Sequence, residues 1–161
     1  MEIRVFRIDD RLIHGQIVTA WLQHSGADQI VVADDQASRD AFQTSLLQMA
    51  TPPGVKLSVL PLDEAIAYLT SADATGKVLL LARGPAQALQ IAEGGVPLTE
   101  INVGNLNMKP GKQKILNEMW LDQADVDALK ALAARGIVLE QRVVPSDRRQ
   151  DTIQLISRFK A

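Results

Sequence analysis

Short runs of aliphatic and β-branched residues alternate along this 161-residue chain with longer segments of helical periodicity. Two of these runs, at residues 31–33 and 78–82, are continuously apolar, which is typical of strands covered on both faces. A repeated β-α alternation favours a parallel sheet, because each parallel strand needs a crossover connection. We therefore predict an α/β fold for residues 1–161: a single domain with an open, mainly parallel sheet and helices on both faces.

The pattern also predicts where each element lies. Strands are expected at residues 3–8, 29–33, 56–60, 77–82, 100–103 and 137–143. Helices are expected at residues 15–25, 38–49, 62–71, 85–92, 123–134 and 149–159. Residues 105–114, with Pro110 and Gly111 among polar neighbours, form the longest predicted loop. Ligands of open α/β sheets bind beyond the carboxyl ends of the strands, so the loop after residue 8 is expected at the functional edge.

Composition excludes several kinds of site. The chain has no cysteine, which rules out disulfides, thiolate metal ligands and a thiol nucleophile. A metal site on its two histidines would need carboxylates at a matching spacing, which the sequence lacks. A net charge of −2 without a basic run argues against nucleic-acid binding, and no glycine-rich nucleotide motif is present. We expect no metal and no other cofactor.

Hydropathy argues against a membrane-embedded chain. No apolar run approaches the ~20 residues needed to cross a bilayer, and the first residues do not resemble a signal peptide. We therefore expect a cytoplasmic protein.

A histidine stands at the predicted start of the first helix, directly after a charged cluster. Residues 7–16 read Arg-Ile-Asp-Asp-Arg-Leu-Ile-His-Gly-Gln, so that two arginines and two aspartates precede His14. A helix N-terminus presents free backbone N–H groups and a partial positive charge, both of which favour a phosphoryl group. Arginine adds bidentate hydrogen bonds to the same oxygens. An imidazole in that position indicates phosphoryl transfer through a phosphohistidine.

The residues around His14 have expected roles. Unperturbed histidine is mostly neutral at pH 7, and a helix N-terminus with nearby arginines further disfavours the imidazolium, which keeps the ring nucleophilic. Arg11 is the first candidate for a phosphate clamp and Arg7 is the second. We expect Asp10 to orient the imidazole or to act as a general base, although Asp9 competes for this role and local sequence does not choose between them.

Three further positions have a structural interpretation, and two of them also have a functional one. Asp34 and Asp35 follow the second predicted strand, where they would accept a phosphoryl group or bind Mg²⁺, or simply form a turn and helix cap. His24 is about 80° around the helix and three turns from His14, so we interpret it as structural.

Two alternative functions of the chain remain open. One is a receiver-like regulatory module phosphorylated on aspartate, and the other is a small-metabolite-binding α/β module.

The charged segment also resembles a known family. The run from Arg7 to Trp21 is similar to the active-site signature of the enzyme IIB component of the bacterial sugar phosphotransferase system, mannose/sorbose type. The resemblance continues through Val-Val-Ala-Asp-Asp at 31–35, Gly-Gly-Val-Pro at 94–97, Ile-Asn-Val-Gly-Asn at 101–105, Gly-Lys-Gln at 111–113 and Val-Pro at 144–145. These motifs follow the family's order and span nearly the whole chain.

The resemblance implies a phosphocarrier enzyme. His14 would accept a phosphoryl group on Nδ1 from a IIA component and transfer it to a sugar during uptake through IIC/IID membrane components. Such a protein associates peripherally with the membrane complex, and it needs a flat or convex surface around His14 to dock two partners.

The resemblance also extends the list of site residues. It implies that Gly15, Gln16, Asp35 and Arg83 bind the phosphate or shape the site. Gly15 would also let the backbone approach the phosphate without a Cβ. Family members often have histidine where this chain has Asn107, so no role of that side chain carries over.

Overall fold

The computed structural model describes all residues from Met1 to Ala161. The elements, in chain order, are β1 (Glu2–Ile8), α1 (Gly15–Ser25), β2 (Gln29–Ala33), α2 (Asp35–Arg39), α3 (Ala41–Ala50), β3 (Lys56–Leu60), α4 (Leu62–Thr70), β4 (Lys77–Ala82), α5 (Pro85–Glu93), β5 (Glu100–Val103), β6 (Gln113–Leu116), β7 (Met119–Leu121), α6 (Gln123–Ala134), β8 (Val138–Gln141), β9 (Gln150–Asp151) and α7 (Thr152–Ile156).

The main sheet has seven strands in the order β3-β2-β4-β1-β5-β8-β9. All neighbouring strands are parallel except β8 and β9, which are antiparallel. The chain moves from β1 towards one edge, returns to place β4 beside β1, and then continues towards the other edge through β5. The carboxyl end of β1 therefore lies at the reversal of strand order, where open α/β sheets bind their ligands.

Two apolar layers cover the sheet, one on each face. Ile30 and Val32 of β2 pack with Trp21 and Leu22 of α1 on one face. Val31 and Ala33 belong to the larger cluster on the opposite face, which includes residues of α4, α5, α6 and α7. The alternation along a single strand places successive side chains in different layers. The predicted mainly parallel α/β fold with helices on both faces is confirmed.

Most predicted elements occur where the sequence placed them, and the strands 29–33, 56–60, 77–82 and 100–103 have the predicted bounds. The predicted helix 38–49 is wrong, because α2 and α3 are separate. Asp40 between them is extended (φ −109°, ψ 102°), and its side chain accepts hydrogen bonds from the backbone N–H groups of Phe42 and Gln43. The aspartate thus caps a new helix and ends the previous one.

The C-terminal prediction is also corrected. The predicted helix 149–159 is reduced to Thr152–Ile156, because Gln150 and Asp151 pair with β8 and Asp151 caps the helix from outside. The predicted loop 105–114 ends two residues too late, because Gln113 and Lys114 already belong to β6 of an unpredicted hairpin, β6–β7. Leu106 is bridged to this hairpin through Met119. None of the helices combines the length and apolar character that a bilayer-spanning segment requires.

Candidate functional site

The loop between β1 and α1 places His14 at the carboxyl edge of the sheet. The chain turns at Leu12, whose backbone N–H donates to the carbonyl of Asp9 at 3.0 Å. Leu12 has a left-handed backbone (φ 60°), which non-glycine residues rarely adopt, and its buried side chain holds it there. His14 then precedes α1 as its N-cap, and Gly15 follows with φ 50°. This conformation is why residue 15 favours glycine.

The Asp9 carboxylate is fully buried and holds the imidazole. Its Oδ2 atom accepts hydrogen bonds from His14 Nε2 at 2.8 Å, Arg7 Nη2 at 3.0 Å and Asn105 Nδ2 at 3.2 Å. Its Oδ1 atom accepts one from the backbone N–H of Arg11 at 3.0 Å. The His14 side chain itself is 18% exposed. Four donors therefore converge on one carboxylate directly below a histidine that reaches the surface.

The protonation state of Asp9 determines the tautomer of His14. Burial alone would raise the pKa of Asp9, but the hydrogen bond from His14, the Arg7 charge and the Arg11 amide outweigh it and hold that pKa below its usual value. Asp9 is therefore a carboxylate, which can only accept hydrogen bonds. The Nε2 atom of His14 must carry the proton, and in a neutral ring the Nδ1 atom then holds the free lone pair.

Arg7 lies beneath Asp9 and is 1% exposed. Besides Asp9, its guanidinium donates to Asn102 Oδ1 at 2.6 Å and to the carbonyl of Arg142 at 3.0 Å. Burial lowers the pKa of Arg7, and the Asp9 charge opposes that shift. Because Arg7 is enclosed, it shapes the site through Asp9 and does not offer itself to a surface phosphate.

A second buried ion pair extends this network. Arg142 binds Glu140 through two hydrogen bonds of 3.0 and 2.9 Å, and Asn102 Nδ2 donates to the same Glu140 at 3.1 Å. The Trp21 ring contacts two guanidinium groups, with its centroid 5.3 Å from Arg7 Cζ and 5.1 Å from Arg142 Cζ. The imidazole, Asp9, Arg7 and this second ion pair thus form one continuous polar network.

Several members of the network have no role in the site that the sequence predicted. These residues are Asn102, Asn105, Glu140, Arg142 and Trp21. The available signal was the position of Arg7 in a strand predicted to be covered by helices on both faces. Alternation puts Phe6 and Ile8 on one face and Arg7 on the other, which is also buried. A buried arginine requires partners, and polar residues inside the apolar strands β5 and β8 were the candidates.

Asp9, and not Asp10, contacts the imidazole. The Asp10 carboxylate instead accepts hydrogen bonds from the backbone N–H of Asn107 at 2.7 Å and from its Nδ2 atom at 2.6 Å. It therefore fixes the loop after β5 beside the histidine. The Arg11 side chain is exposed and has no hydrogen-bond partner, so its guanidinium is free at the surface, as a phosphate clamp requires.

Arg83 and Asp34 form a separate ion pair at the same edge. Arg83 Nε and Nη2 donate to the two Asp34 oxygens at 3.1 and 2.8 Å, and this interaction raises the pKa of Arg83. Arg83 Nη1 also reaches the carbonyl of Asp10 at 3.4 Å. Asp34 additionally caps α2 by accepting from the N–H of Ala37. Arg83 thus supports the Asp10 loop, and Asp34 is already engaged.

Other predicted positions lie outside the network. Asp35 accepts a hydrogen bond from the backbone N–H of Leu62 at 2.8 Å, which ties α2 to α4 and leaves Asp35 without contact to His14. Gln16 is exposed and its side chain makes no hydrogen bond. His24 is exposed and packs edge-on against Trp21 at 5.7 Å, in agreement with a structural role. No group of histidines and carboxylates could hold a metal ion.

The surface at His14 is open. The structure has five cavities, and His14 lines none of them. A half-buried imidazole that reaches the surface outside any cavity suits transfer between macromolecules, since both partners can approach the same ring.

Known proteins of one family are similar to this chain over nearly its whole length. The model of the sorbose subfamily IIB component of the phosphotransferase system matches residues 3–161. The mannose-specific EIIAB component of Escherichia coli K12 is 37% identical over 160 residues, covering 99% of this chain and 50% of that protein. The chain thus spans about half the length of this relative.

Other relatives match along nearly their whole length. The sorbose-specific EIIB component of Lacticaseibacillus casei is 36% identical over 157 residues, covering 97% of this chain and 96% of that protein. The crystal structure of the IIBSor domain of the Klebsiella pneumoniae sorbose permease superimposes with a TM-score of 0.94 at 34% identity, covering 98% and 97% of the two chains.

Proposed function

Because this chain belongs to the sorbose subfamily of phosphotransferase-system IIB components, we propose that it is a phosphocarrier in sugar uptake with His14 as the phosphoryl acceptor. The observation that carries the assignment is the 2.8 Å hydrogen bond between His14 Nε2 and buried Asp9. This contact assigns the proton to Nε2 and leaves the nucleophilic lone pair on Nδ1 at an open surface.

In the first transfer, Nδ1 attacks phosphorus on the donor protein. The bond between phosphorus and the donor atom breaks, and its electron pair stays on the donor. The imidazole ring of His14 becomes positively charged while Nε2 keeps its proton. The Asp9 carboxylate faces that proton and stabilises the new charge in a buried environment, where such an interaction is stronger than in water.

In the second transfer, a sugar hydroxyl oxygen attacks the phosphohistidine. The Nδ1–P bond breaks and its electron pair returns to the ring, which is neutral again, while the hydroxyl proton leaves to solvent. Charge on the transferring phosphoryl oxygens is stabilised by Arg11 and by the free backbone N–H groups at the start of α1. Asp10 and Arg83 shape the site by fixing the loops beside His14.

The proposed donor and acceptor rest on membership of this family. We propose a IIA component as donor, since the name of the E. coli relative joins IIA to IIB. The acceptor is a sugar bound by IIC/IID membrane components, at whose cytoplasmic face this chain associates peripherally. Relatives are named for mannose, sorbose, N-acetylgalactosamine and fructose, so the substrate class is a monosaccharide or its N-acetyl derivative.

The test is IIA-dependent phosphorylation of the purified chain. We expect phosphoenolpyruvate, the general phosphotransferase proteins and a IIA component to add one acid-labile, base-stable phosphate, located on His14 by peptide mass analysis. His14→Ala should abolish acceptance, and His24→Ala should retain it. Label on the His14→Ala variant, or a hydroxylamine-sensitive label on Asp34 or Asp35, would overturn the assignment and favour a receiver-like module.

A further inference from the structure

Helix α3 carries a stripe of exposed apolar side chains, formed by Phe42, Leu46 and Met49. They are 73%, 49% and 83% exposed, whereas no other helix exposes more than one large apolar residue. Because successive helical residues are ~100° apart, these three positions lie within ~60° of one another. Leu47 lies ~130° from the centre of the stripe and belongs to the same core cluster as Trp21 of α1. The α3 stripe is therefore on the side of the helix that faces away from the sheet.

Internal contacts fix α3 in this orientation. The buried Leu47 anchors the helix to the core, and the Thr44 hydroxyl donates a hydrogen bond to the carbonyl of Ala37 in α2 at 2.8 Å. Asp40 caps the first turn by accepting from two backbone N–H groups. A rotation that buried the α3 stripe would expose Leu47 and break these bonds. A partner is therefore needed to remove the stripe from water.

The side of the molecule that includes α3 lacks charged side chains. Residues 41–55 contain no Asp, Glu, Lys or Arg, although these residues make up 22% of the whole chain. Helix α1, which packs in the same layer over the sheet, contains none either. The opposite layer does carry charges, for example Asp63 and Glu64 in α4. The α3 stripe is thus part of an uncharged surface on one face of an otherwise ordinary charged protein.

We propose that the α3 stripe binds the α3 stripe of a second copy of this chain. A two-fold contact sets a surface against itself, so every charge within it would face the same charge on the other copy. Homodimer interfaces are accordingly more apolar than other interfaces and are depleted in charged residues. Complexes between different proteins use charges for steering, and helices that lie on a bilayer carry Lys or Arg on their polar face. The α3 helix offers neither.

The spacing of the stripe suits an antiparallel pair of helices. Leu46 follows Phe42 by four residues, or ~6 Å, and precedes Met49 by three residues, or ~4.5 Å. A two-fold axis at Leu46 therefore brings Leu46 against Leu46 of the second copy. The same axis brings Phe42 of each copy to Met49 of the other, which is a favourable contact between an aromatic ring and a thioether.

The ends of the two helices are complementary as well. Arg39 is exposed in the last turn of α2, just before α3 begins, and the last turn of α3 has no basic residue. An antiparallel pair places Arg39 at the C-terminus of the other α3, where a cation is favourable beside the free carbonyl groups. Asp40 does not oppose this arrangement, because its carboxylate is bonded to the N–H groups of Phe42 and Gln43.

The contact area predicts a weak dimer. Helices α1 and α3 have 11 and 10 residues. Each is therefore ~15 Å long and ~10 Å wide, so the uncharged face offers roughly 300 Å² per copy. Stable interfaces bury ~800 Å² per partner. We therefore expect reversible association with a dissociation constant of about 10 μM or weaker.

Sedimentation equilibrium of the full chain tests the association. Between ~5 μM and ~1 mM the average mass should rise from monomer towards dimer. Leu46→Glu should weaken the dimer at least about tenfold, because two carboxylates then face each other at the axis. Met108→Glu is the matched control, since Met108 is also exposed but lies in the loop after β5, and it should associate as the wild type does.

Disulfide cross-linking tests the register. The chain has no cysteine, so one introduced cysteine reacts only with a second copy. Leu46→Cys should form an intermolecular disulfide quickly under mild oxidation, and Asp73→Cys, at an exposed position elsewhere, should do so slowly. A mixture of Phe42→Cys and Met49→Cys should give mainly the mixed disulfide. Two copies of residue 42 are ~12 Å apart in the antiparallel pair, which is too far for a disulfide.

Four results would overturn the proposal. They are a monomer at every concentration, equal association of the Leu46→Glu and Met108→Glu variants, equal cross-linking of all cysteine variants, and binding of the monomer to neutral lipid vesicles through the stripe. A monomeric wild type whose Leu46→Glu variant accepts phosphate more slowly from the IIA protein would also overturn it, and would assign the stripe to that partner.

The dimer and the phosphocarrier assignment can fail separately, because no residue of the stripe belongs to the His14 network. We expect Leu46→Glu to accept phosphate on His14 at the rate of the wild type. Dimerisation of a chain that is not phosphorylated on His14 would retain the α3 contact and remove the phosphocarrier assignment. Phosphorylation of His14 in a chain that stays monomeric would do the reverse.

Discussion

Two adjacent aspartates in the charged loop differ entirely in role because their side chains point to different neighbours. Asp9 continues β1 inward and meets Arg7, Asn105 and the imidazole, whereas Asp10 turns to the loop at Asn107. The imidazole therefore has one ionised partner, which fixes its tautomer. The same carboxylate also accepts a hydrogen bond from the backbone N–H of Arg11. Asp9 therefore positions both the proposed phosphate-binding arginine and the proposed nucleophile, His14.

The exposed Arg11 guanidinium is free to bind phosphoryl oxygens beside His14. Arg11→Lys should lower the rate of phosphate acceptance at least about tenfold, because an ammonium group cannot donate two parallel hydrogen bonds to phosphoryl oxygens. The rate is measured by rapid quench with phosphorylated IIA. Arg158→Lys, at another exposed arginine, is the control and should match the wild type. Equal rates for both variants would remove Arg11 from the site.

At the scale of elements, three parallel neighbours assemble the site. β1, β5 and β8 lie side by side, so their carboxyl ends bring Arg7, Asn102 and the Arg142 carbonyl together. Close approach requires a missing side chain at the end of β5. A Cβ on Gly104 would lie 2.3 Å from the Cζ atom of Arg7. Gly104 thus leaves the space that the guanidinium occupies.

Gly104→Ala should therefore lower the free energy of unfolding by about 2 kcal/mol, because the added methyl group displaces a buried, fully bonded guanidinium. It should also slow phosphate acceptance, since Arg7 holds Asp9. Chemical denaturation and the transfer assay measure the two effects. Gly84→Ala is the comparison variant and should be less destabilising than Gly104→Ala, because its Cβ would meet only the flexible end of Gln87 at 3.0 Å and the remaining cost is that alanine is a poorer N-cap of α5 than glycine. A Gly104→Ala variant as stable as the wild type would contradict this packing.

At the scale of the whole molecule, the buried network links stability to pH. Folding lowers the pKa of Asp9, so the folded state favours the carboxylate. The resulting stabilisation is complete above the unfolded pKa of about 3.9 and is lost as the pH falls through the lower folded value. Lowering the pH should therefore remove the contribution that ionised Asp9 makes to the free energy of unfolding.

Asp9→Asn should be about 3 kcal/mol less stable than the wild type at pH 7, because it leaves the buried Arg7 charge without its partner. The difference in the free energy of unfolding should narrow as the pH falls below about 4 and through the lowered folded pKa of Asp9, in denaturation curves measured at several pH values. Asp73→Asn, at an exposed carboxylate, should follow the wild type throughout. A difference in the free energy of unfolding between Asp9→Asn and the wild type that is independent of pH would contradict the lowered pKa of Asp9 in the folded state.

The sequence by itself determined the α/β class, the bounds of most elements and the position of His14 at a helix start. These properties depend on periodicity and on neighbours within about four residues, which a linear pattern contains. The position of the loop at the functional edge also followed, since the carboxyl end of a parallel strand is defined by chain direction.

Only the tertiary structure showed that Asp9, and not Asp10, contacts the imidazole, and that Arg7 is buried. It also showed that Asp35 accepts a hydrogen bond at the N-terminus of α4 and that Asn105 belongs to the site. Asn105 lies 96 residues from Asp9 along the chain, and the Arg142 carbonyl lies 135 residues from Arg7. These partners meet because β5 and β8 follow β1 in the sheet. Hydrogen bonds between residues so far apart along the chain depend on strand order and side-chain direction, which local sequence patterns do not specify.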